Sequence, residues 1–227
     1  MLVFRGLIGG LFQVLVLAVL LLLPAGTWQW TRAIQFLLVY GLANSISIVT
    51  LARLAPASLE ARLTSPSSKS QPAADRVVTP LLIISLLAWF AFIPIDVFRL
   101  HLLPAPPVWL SVLGAVLSLV GYAVMWTSLF QNAFAAPIVK DQSERGHVLI
   151  DTGLYGRVRH PFYLGILLFL LGLALWLESY ASGLALLLPL VMLVARIMVE
   201  ERTLRETLDG YADYTKRVRF RLVPFVW

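Results

Sequence analysis

Arg157, Arg159 and His160 run through Pro161 straight into an apolar segment, with Tyr155 and Tyr163 on either side. About one helical hairpin further on, Glu200 and Glu201 close the next apolar segment. Guanidinium groups, an imidazole, two phenols and two carboxylates are costly at the edge of hydrocarbon, and groups kept there commonly have a function. Proline suits the first turn of a helix, where its missing N–H would have no partner anyway. That puts His160 at a helix cap and aims the first backbone N–H groups at the boundary. The result is an anion site, reinforced by Arg157 and Arg159. The plain alternative is that basic residues before a span orient it and meet headgroups. Glu200 and Glu201 fit that alternative less well. Carboxylates do little for topology, and a helix C-terminus favours cations. Either a positively charged ligand or a salt bridge to Arg196 or Arg202 accounts for them, and Arg196 shares a helix face with Glu200. His147 belongs to a polar connector, residues 141–151. It is either a solvated loop histidine or a further contact in the same pocket.

The elements that must position these groups are those of a membrane protein. The chain has 227 residues, 59% hydrophobic and only 13% charged, with mean hydropathy +0.85. Soluble domains carry about 25% charge. With no cysteine there are no disulfides or thiolate metal ligands, and His101, His147 and His160 are too dispersed for a metal motif. The net charge of +6 sits beside apolar segments, where it meets anionic lipid rather than nucleic acid. Neither GxGxxG nor GxxxxGK[ST] occurs in the required context, so no Rossmann or P-loop domain is expected. Asp96 and Arg99 flank an expected outer loop, and no charge sits mid-span in the first two segments. Both points argue against an ion channel or proton relay.

Six segments approach the roughly 20 apolar residues that a span needs: 7–23, 33–54, 77–95, 108–130, 162–177 and 183–199. The first follows Arg5 as a signal peptide would, but Pro24–Trp28 lacks a small-x-small cleavage pattern, and a retained span is expected. With both termini cytoplasmic, only Arg32 and Arg99 of the 18 basic residues fall outside. This places both charged motifs on the cytoplasmic face of an inner or plasma membrane. The fold class is therefore all-α integral membrane, with about six transmembrane helices. A C-terminal amphipathic helix interrupted at Gly210 lies on the cytoplasmic side, as an interfacial anchor or a lid. The expected division is residues 1–76, a two-span region ending in the mobile Ser/Pro-rich loop 64–75, and residues 77–227, the functional core. Gly114 with Gly121, and Gly165 with Gly172, each mark a helix face for close packing, within the chain or in a dimer.

The stretch HVLIDTGLYGRVRHPFYLG, His147–Gly165, resembles the signature of the isoprenylcysteine carboxyl methyltransferase family, whose superfamily includes the phospholipid N-methyltransferases. So do the Glu200-Glu-x-x-Leu204 pattern and the Gly210-Tyr-x-x-Tyr-x-x-Arg-Val218 pattern. The likeness covers roughly the last hundred residues. It departs at Leu154-Tyr155-Gly156, where relatives often carry a basic residue. The resemblance implies a membrane-embedded, S-adenosylmethionine-dependent methyltransferase acting on a lipophilic acceptor, a carboxylate, amine or thiol that enters from the bilayer. It implies cofactor contacts from His147, Leu149, Gly153, Tyr155, His160, Pro161, Tyr163, Glu200 and Glu201. The helix N-terminus at His160-Pro161 suits the cofactor carboxylate, and the two glutamates suit its ammonium. Arg196 or Arg159 would orient an acidic acceptor, and Glu200 or His160 would take a proton from an amine or thiol. Alanine at Glu201 or His160 should then abolish cofactor binding without unfolding the protein. The competing classes are a lipid-headgroup-binding protein or small transporter, and a reductase of the sterol reductase kind. Oligomeric state is open.

Overall fold

The computed structural model describes residues 1–63, 71–135, 137–138 and 146–227. Residues 64–70 of the Ser/Pro-rich loop and 141–145 of the connector lie outside the described residues. Among the described residues the secondary structure is entirely helical. The helices are α1 (Leu2–Ala25), α2 (Thr31–Leu54), α3 (Pro56–Leu63), α4 (Asp75–Ile95), α5 (Val108–Gln131), α6 (Pro161–Trp176), α7 (Tyr180–Ala185), α8 (Leu187–Thr207) and α9 (Tyr211–Arg217). Five runs are long and apolar enough to cross a membrane: α1, α2, α4 with its extension, α5, and α7 with α8. The remaining apolar helix, α6, has 16 residues. At 1.5 Å per residue it is about 24 Å long, short of the roughly 30 Å hydrocarbon thickness.

Each of the six apolar segments became a helix, and the differences lie at the ends. The outer loop begins later than expected, at His101, because α4 continues through a π-helical turn over Asp96–Leu100. The reason is local satisfaction of Asp96, which is buried and accepts hydrogen bonds from the Ser179 hydroxyl at 2.6 Å and the Leu102 N–H at 3.0 Å. The expected connector 178–182 is also shorter. The Ser179 hydroxyl accepts from the Ser182 N–H and caps α7, so the chain is helical again from Tyr180. Across this end of the bundle, Arg32 pairs with Glu178 at 3.0 Å and Arg99 donates to the Pro24 carbonyl.

The four marked glycines bring α5 and α6 together. A methyl group added at Gly114 would strike the Gly172 carbonyl oxygen at 2.6 Å, and one at Gly121 the Gly165 carbonyl oxygen at 2.7 Å. Each glycine pair thus faces the other across one intramolecular seam, which the Ser118 hydroxyl reinforces by donating to the Phe169 carbonyl. Gly121→Ala should force these backbones apart and cost about 1–3 kcal/mol. A lowered thermal unfolding midpoint in detergent checks this. The main core lies beside the seam, where Leu21, Ala33, Ile93, Leu173 and Ala174 are fully enclosed among α1, α2, α4 and α6.

Candidate active site

His160 caps α6 and Pro161 opens it, as the spacing suggested. The helix start is less open than an anion site requires. The N–H groups of Arg159 and His160 donate to the carbonyls of Phe220 and Arg221, and the Tyr163 N–H turns back to the His160 carbonyl. The C-terminal segment therefore lies across this end. Arg159 is buried beneath it, with Nε donating to Glu201 Oε1 at 2.7 Å and Nη1 to the Val218 carbonyl at 3.0 Å. Arg157 is exposed.

The two adjacent carboxylates have separate surroundings. Glu201 is 1% exposed and gathers Arg159, Arg221 at 3.1 Å and Arg205 at 3.3 Å, with His160 Nε2 also 3.3 Å away. Glu200 turns the other way and accepts from the Tyr163 hydroxyl at 2.6 Å. The expected Arg196–Glu200 pair is bridged rather than direct. Arg196 Nε donates to the Tyr163 oxygen at 2.9 Å, so the phenol links guanidinium and carboxylate. The rest of Arg196 faces α4, where Nη1 meets Asp75 at 3.2 Å and the Thr79 hydroxyl, while Nη2 donates to the Pro137 carbonyl. Arg202 pairs with Glu206 at the surface and takes no part.

A cavity of about 760 Å³ opens beside these groups. Its polar end is lined by His147, Leu149, Tyr155, Arg159, His160, Tyr163, Arg196 and Glu200. Its apolar arm runs between the helices to Leu17, Phe90 and Phe169. Phe90 is fifteen residues beyond Asp75 on α4, roughly 22 Å along the axis. Three residues of the expected set are not in this wall. Glu201 lies behind it in the charged hub, Pro161 is buried in the first turn of α6, and Gly153 (φ 60) makes a tight turn against Gln131.

The site also involves residues outside the expected set, one behind the wall and one in it. Asp75 is buried at the start of α4 and holds Arg196 across the bundle. The Tyr211 hydroxyl, on α9, is buried with no hydrogen-bond partner among the described residues. Burial pushes the hydroxyls of Tyr155, Tyr211 and Tyr214 above the usual tyrosine range, so all three remain proton donors at neutral pH. The Tyr214 hydroxyl donates to the Tyr155 carbonyl at 2.7 Å and ties the tail to the cavity loop. The lone acid of Asp75 before an apolar run was a visible signal. Tyr211 belongs to the Gly210-Tyr-x-x-Tyr pattern, but nothing local showed that it lines the cavity.

Residues 109–209 match the phospholipid methyltransferase family. The chain is similar to the protein-S-isoprenylcysteine O-methyltransferase of Saccharomyces cerevisiae, 32% identical over 119 residues, which is 51% of this chain and 49% of that protein. The corresponding protein of Schizosaccharomyces pombe is 35% identical over 83 residues, 36% of this chain and 35% of that protein. The chain is thus similar to membrane methyltransferases over about half of its length. It is also similar to the Delta(14)-sterol reductase of Mus musculus, 34% identical over 90 residues, 36% of this chain and 20% of that protein. The chain spans about half the length of the first of these relatives and about a third of the second. The family segment holds α5, α6, α8 and the Tyr163–Glu200–Arg196 constellation, but α1 to α4 and α9 lie outside it. Asp75 and Tyr211 therefore reach this constellation from sequence flanking the matched segment.

Proposed function

We propose that the chain transfers a methyl group from S-adenosylmethionine to a lipophilic acceptor at the cytoplasmic face of an inner or plasma membrane. The observation that carries this reading is one cavity with a carboxylate-bearing polar end and an apolar arm rising to span level. The residues present suit the cofactor. Glu200 has a phenol for its partner and can accept a ligand ammonium, and the Tyr211 hydroxyl lacks a partner that a purine or ribose would provide. Leu149, Leu204 and Leu208 supply apolar wall nearby. The volume falls within the range of about 300–1,000 Å³ usual for ligand sites.

When bound, S-adenosylmethionine supplies a methyl group on a sulfonium, which an acceptor lone pair takes by in-line displacement as the carbon–sulfur bond breaks. The protein's part is then alignment and exclusion of water. Tyr163 fixes the Glu200 carboxylate, Asp75 and Thr79 fix Arg196, and Arg196 fixes Tyr163 in turn. An acceptor chain entering between helices would fill the apolar arm and bring its head to this triad. The acceptor is a carboxylate, amine or thiol. The relatives' designation as O-methyltransferases favours oxygen.

Calorimetric titration of S-adenosylhomocysteine into detergent-purified protein tests the reading, with NADPH as comparison. Micromolar-range binding of the first, without binding of the second, is the expected result. His160→Ala should weaken it about tenfold rather than abolish it, because the ring borders the cavity and stacks on Tyr163 at 5.6 Å but makes no charged contact with the open space. Preference for NADPH would move the reading to the reductase class, which the likeness to the sterol reductase represents.

A further inference from the structure

Among the described residues, one cation of the cavity wall has no counter-charge. Arg196 is engaged by Asp75, Thr79, Tyr163 and a carbonyl, and Arg159 by Glu201. Arg62 has only the face of Phe162, 5.0 Å from its guanidinium carbon. Among the described residues no carboxylate lies within ion-pair distance of it. Its position is built in. Leu59 and Ala61 are buried on the inner face of α3, and the Ser58 hydroxyl donates to the Leu129 carbonyl at 2.7 Å, fixing α3 to the end of α5. Arg62 is half-buried, and its partial removal from water pulls its pKa down, consistent with a cation held where no anion answers it. A withdrawn charge is costly unless paired, and a guanidinium pairs best with a planar or tetrahedral oxyanion. Beyond Arg62 the wall turns apolar through Ile48, Leu51 and Leu59.

We propose that Arg62 binds the acidic headgroup of the lipophilic acceptor, whose hydrocarbon lies along the apolar arm beside α1 and α2. The assignment rests on the methyl-transfer reading. It puts acceptor recognition on α3, outside the family segment of residues 109–209. The first two spans would then select the substrate while the rear helices hold the cofactor.

The same charge could answer the carboxylate of the cofactor or an ordinary anionic phospholipid, so the test has three arms. Binding of N-acetyl-S-farnesylcysteine, as the free acid and as its primary amide, is measured on detergent-purified wild type, Arg62→Gln and Arg62→Lys. S-adenosylhomocysteine is titrated into the same three proteins, and the acid titrations are repeated with phosphatidylglycerol in the micelles. Wild type should prefer acid over amide by about tenfold or more, the strength of a charge-assisted contact. Arg62→Gln should bind both equally, Arg62→Lys should retain part of the preference, and S-adenosylhomocysteine affinity should be the same in all three. Thermal melts that coincide with wild type exclude a folding defect. The proposal is overturned by an undiminished acid preference in Arg62→Gln, or by no acid preference in wild type. It is equally overturned if Arg62→Gln weakens S-adenosylhomocysteine instead, or if phosphatidylglycerol erases the preference. Failure of S-adenosylhomocysteine to bind wild type would instead strike the methyl-transfer reading, so the two failures are distinguishable.

Discussion

Glu201→Ala should lower the thermal midpoint sharply and make the C-terminal segment from Tyr211 onward sensitive to protease. Glu201 is 1% exposed, and its strongest partner, Arg159, is equally enclosed, with a side chain only 4% exposed. Removing one member of a buried pair leaves the other uncompensated, which costs about 3–5 kcal/mol. Arg221 and Arg205 are more exposed and add less, because water screens them. Their geometry still matters, since Arg221 belongs to the segment whose carbonyls accept from Arg159 and His160. With the carboxylate gone, that segment loses its anchor. This revises the expectation that alanine at Glu201 would spare the fold. Thermal unfolding in detergent, followed by limited proteolysis with the cleavage sites mapped, measures both effects. A variant that melts like wild type but no longer binds S-adenosylhomocysteine would show Glu201 to be a ligand group and not the hub of the charged end.

One residue earlier, the expected outcome reverses. Glu200→Ala should weaken S-adenosylhomocysteine about ten- to a hundredfold, the loss of one charged hydrogen bond. Its melting temperature should stay close to wild type. Glu200 is half-buried, and its hydrogen-bond partner is the Tyr163 hydroxyl, which keeps Arg196 as a second partner. Glu200→Gln, which can still accept from Tyr163 but carries no charge, should fall between the two. Calorimetry and thermal melts on the three proteins separate the roles of the neighbouring acids. Unchanged affinity in Glu200→Ala would remove the assignment of this carboxylate to the cofactor ammonium.

The six apolar segments and their helical character were legible because local rules decide them. A run of about 20 apolar residues in hydrocarbon must satisfy its own backbone, and a helix does so within the segment. The glycine spacing on α5 and α6 was legible as a packing face for the same reason, since helical periodicity is local. Its partner was not, because nothing in either segment says which other face it meets. Asp96 shows the limit in miniature. Its charge looked like a loop marker, yet Ser179, far away in sequence, gives it a buried partner and lets the helix run on.

At the site, the residue types were legible and their assignments were not. The sequence by itself placed His160 at a cap, collected Tyr155, Tyr163, Arg196 and Glu200 at one end of the spans, and marked the two acids as unusual. Helical geometry set Glu200 and Glu201 about 100° apart on α8, but only the surroundings of α8 determined what each direction meets. One faces α6 and the cavity, and the other faces Arg159 and the returning tail. Tertiary structure alone brought in Asp75 and Arg62, from elements before the motif region, and gave Tyr211 of the tail its place in the wall. A buried charge takes whichever opposite charge or void the packed helices bring within a few ångströms, and that proximity is a property of the assembled bundle rather than of any segment.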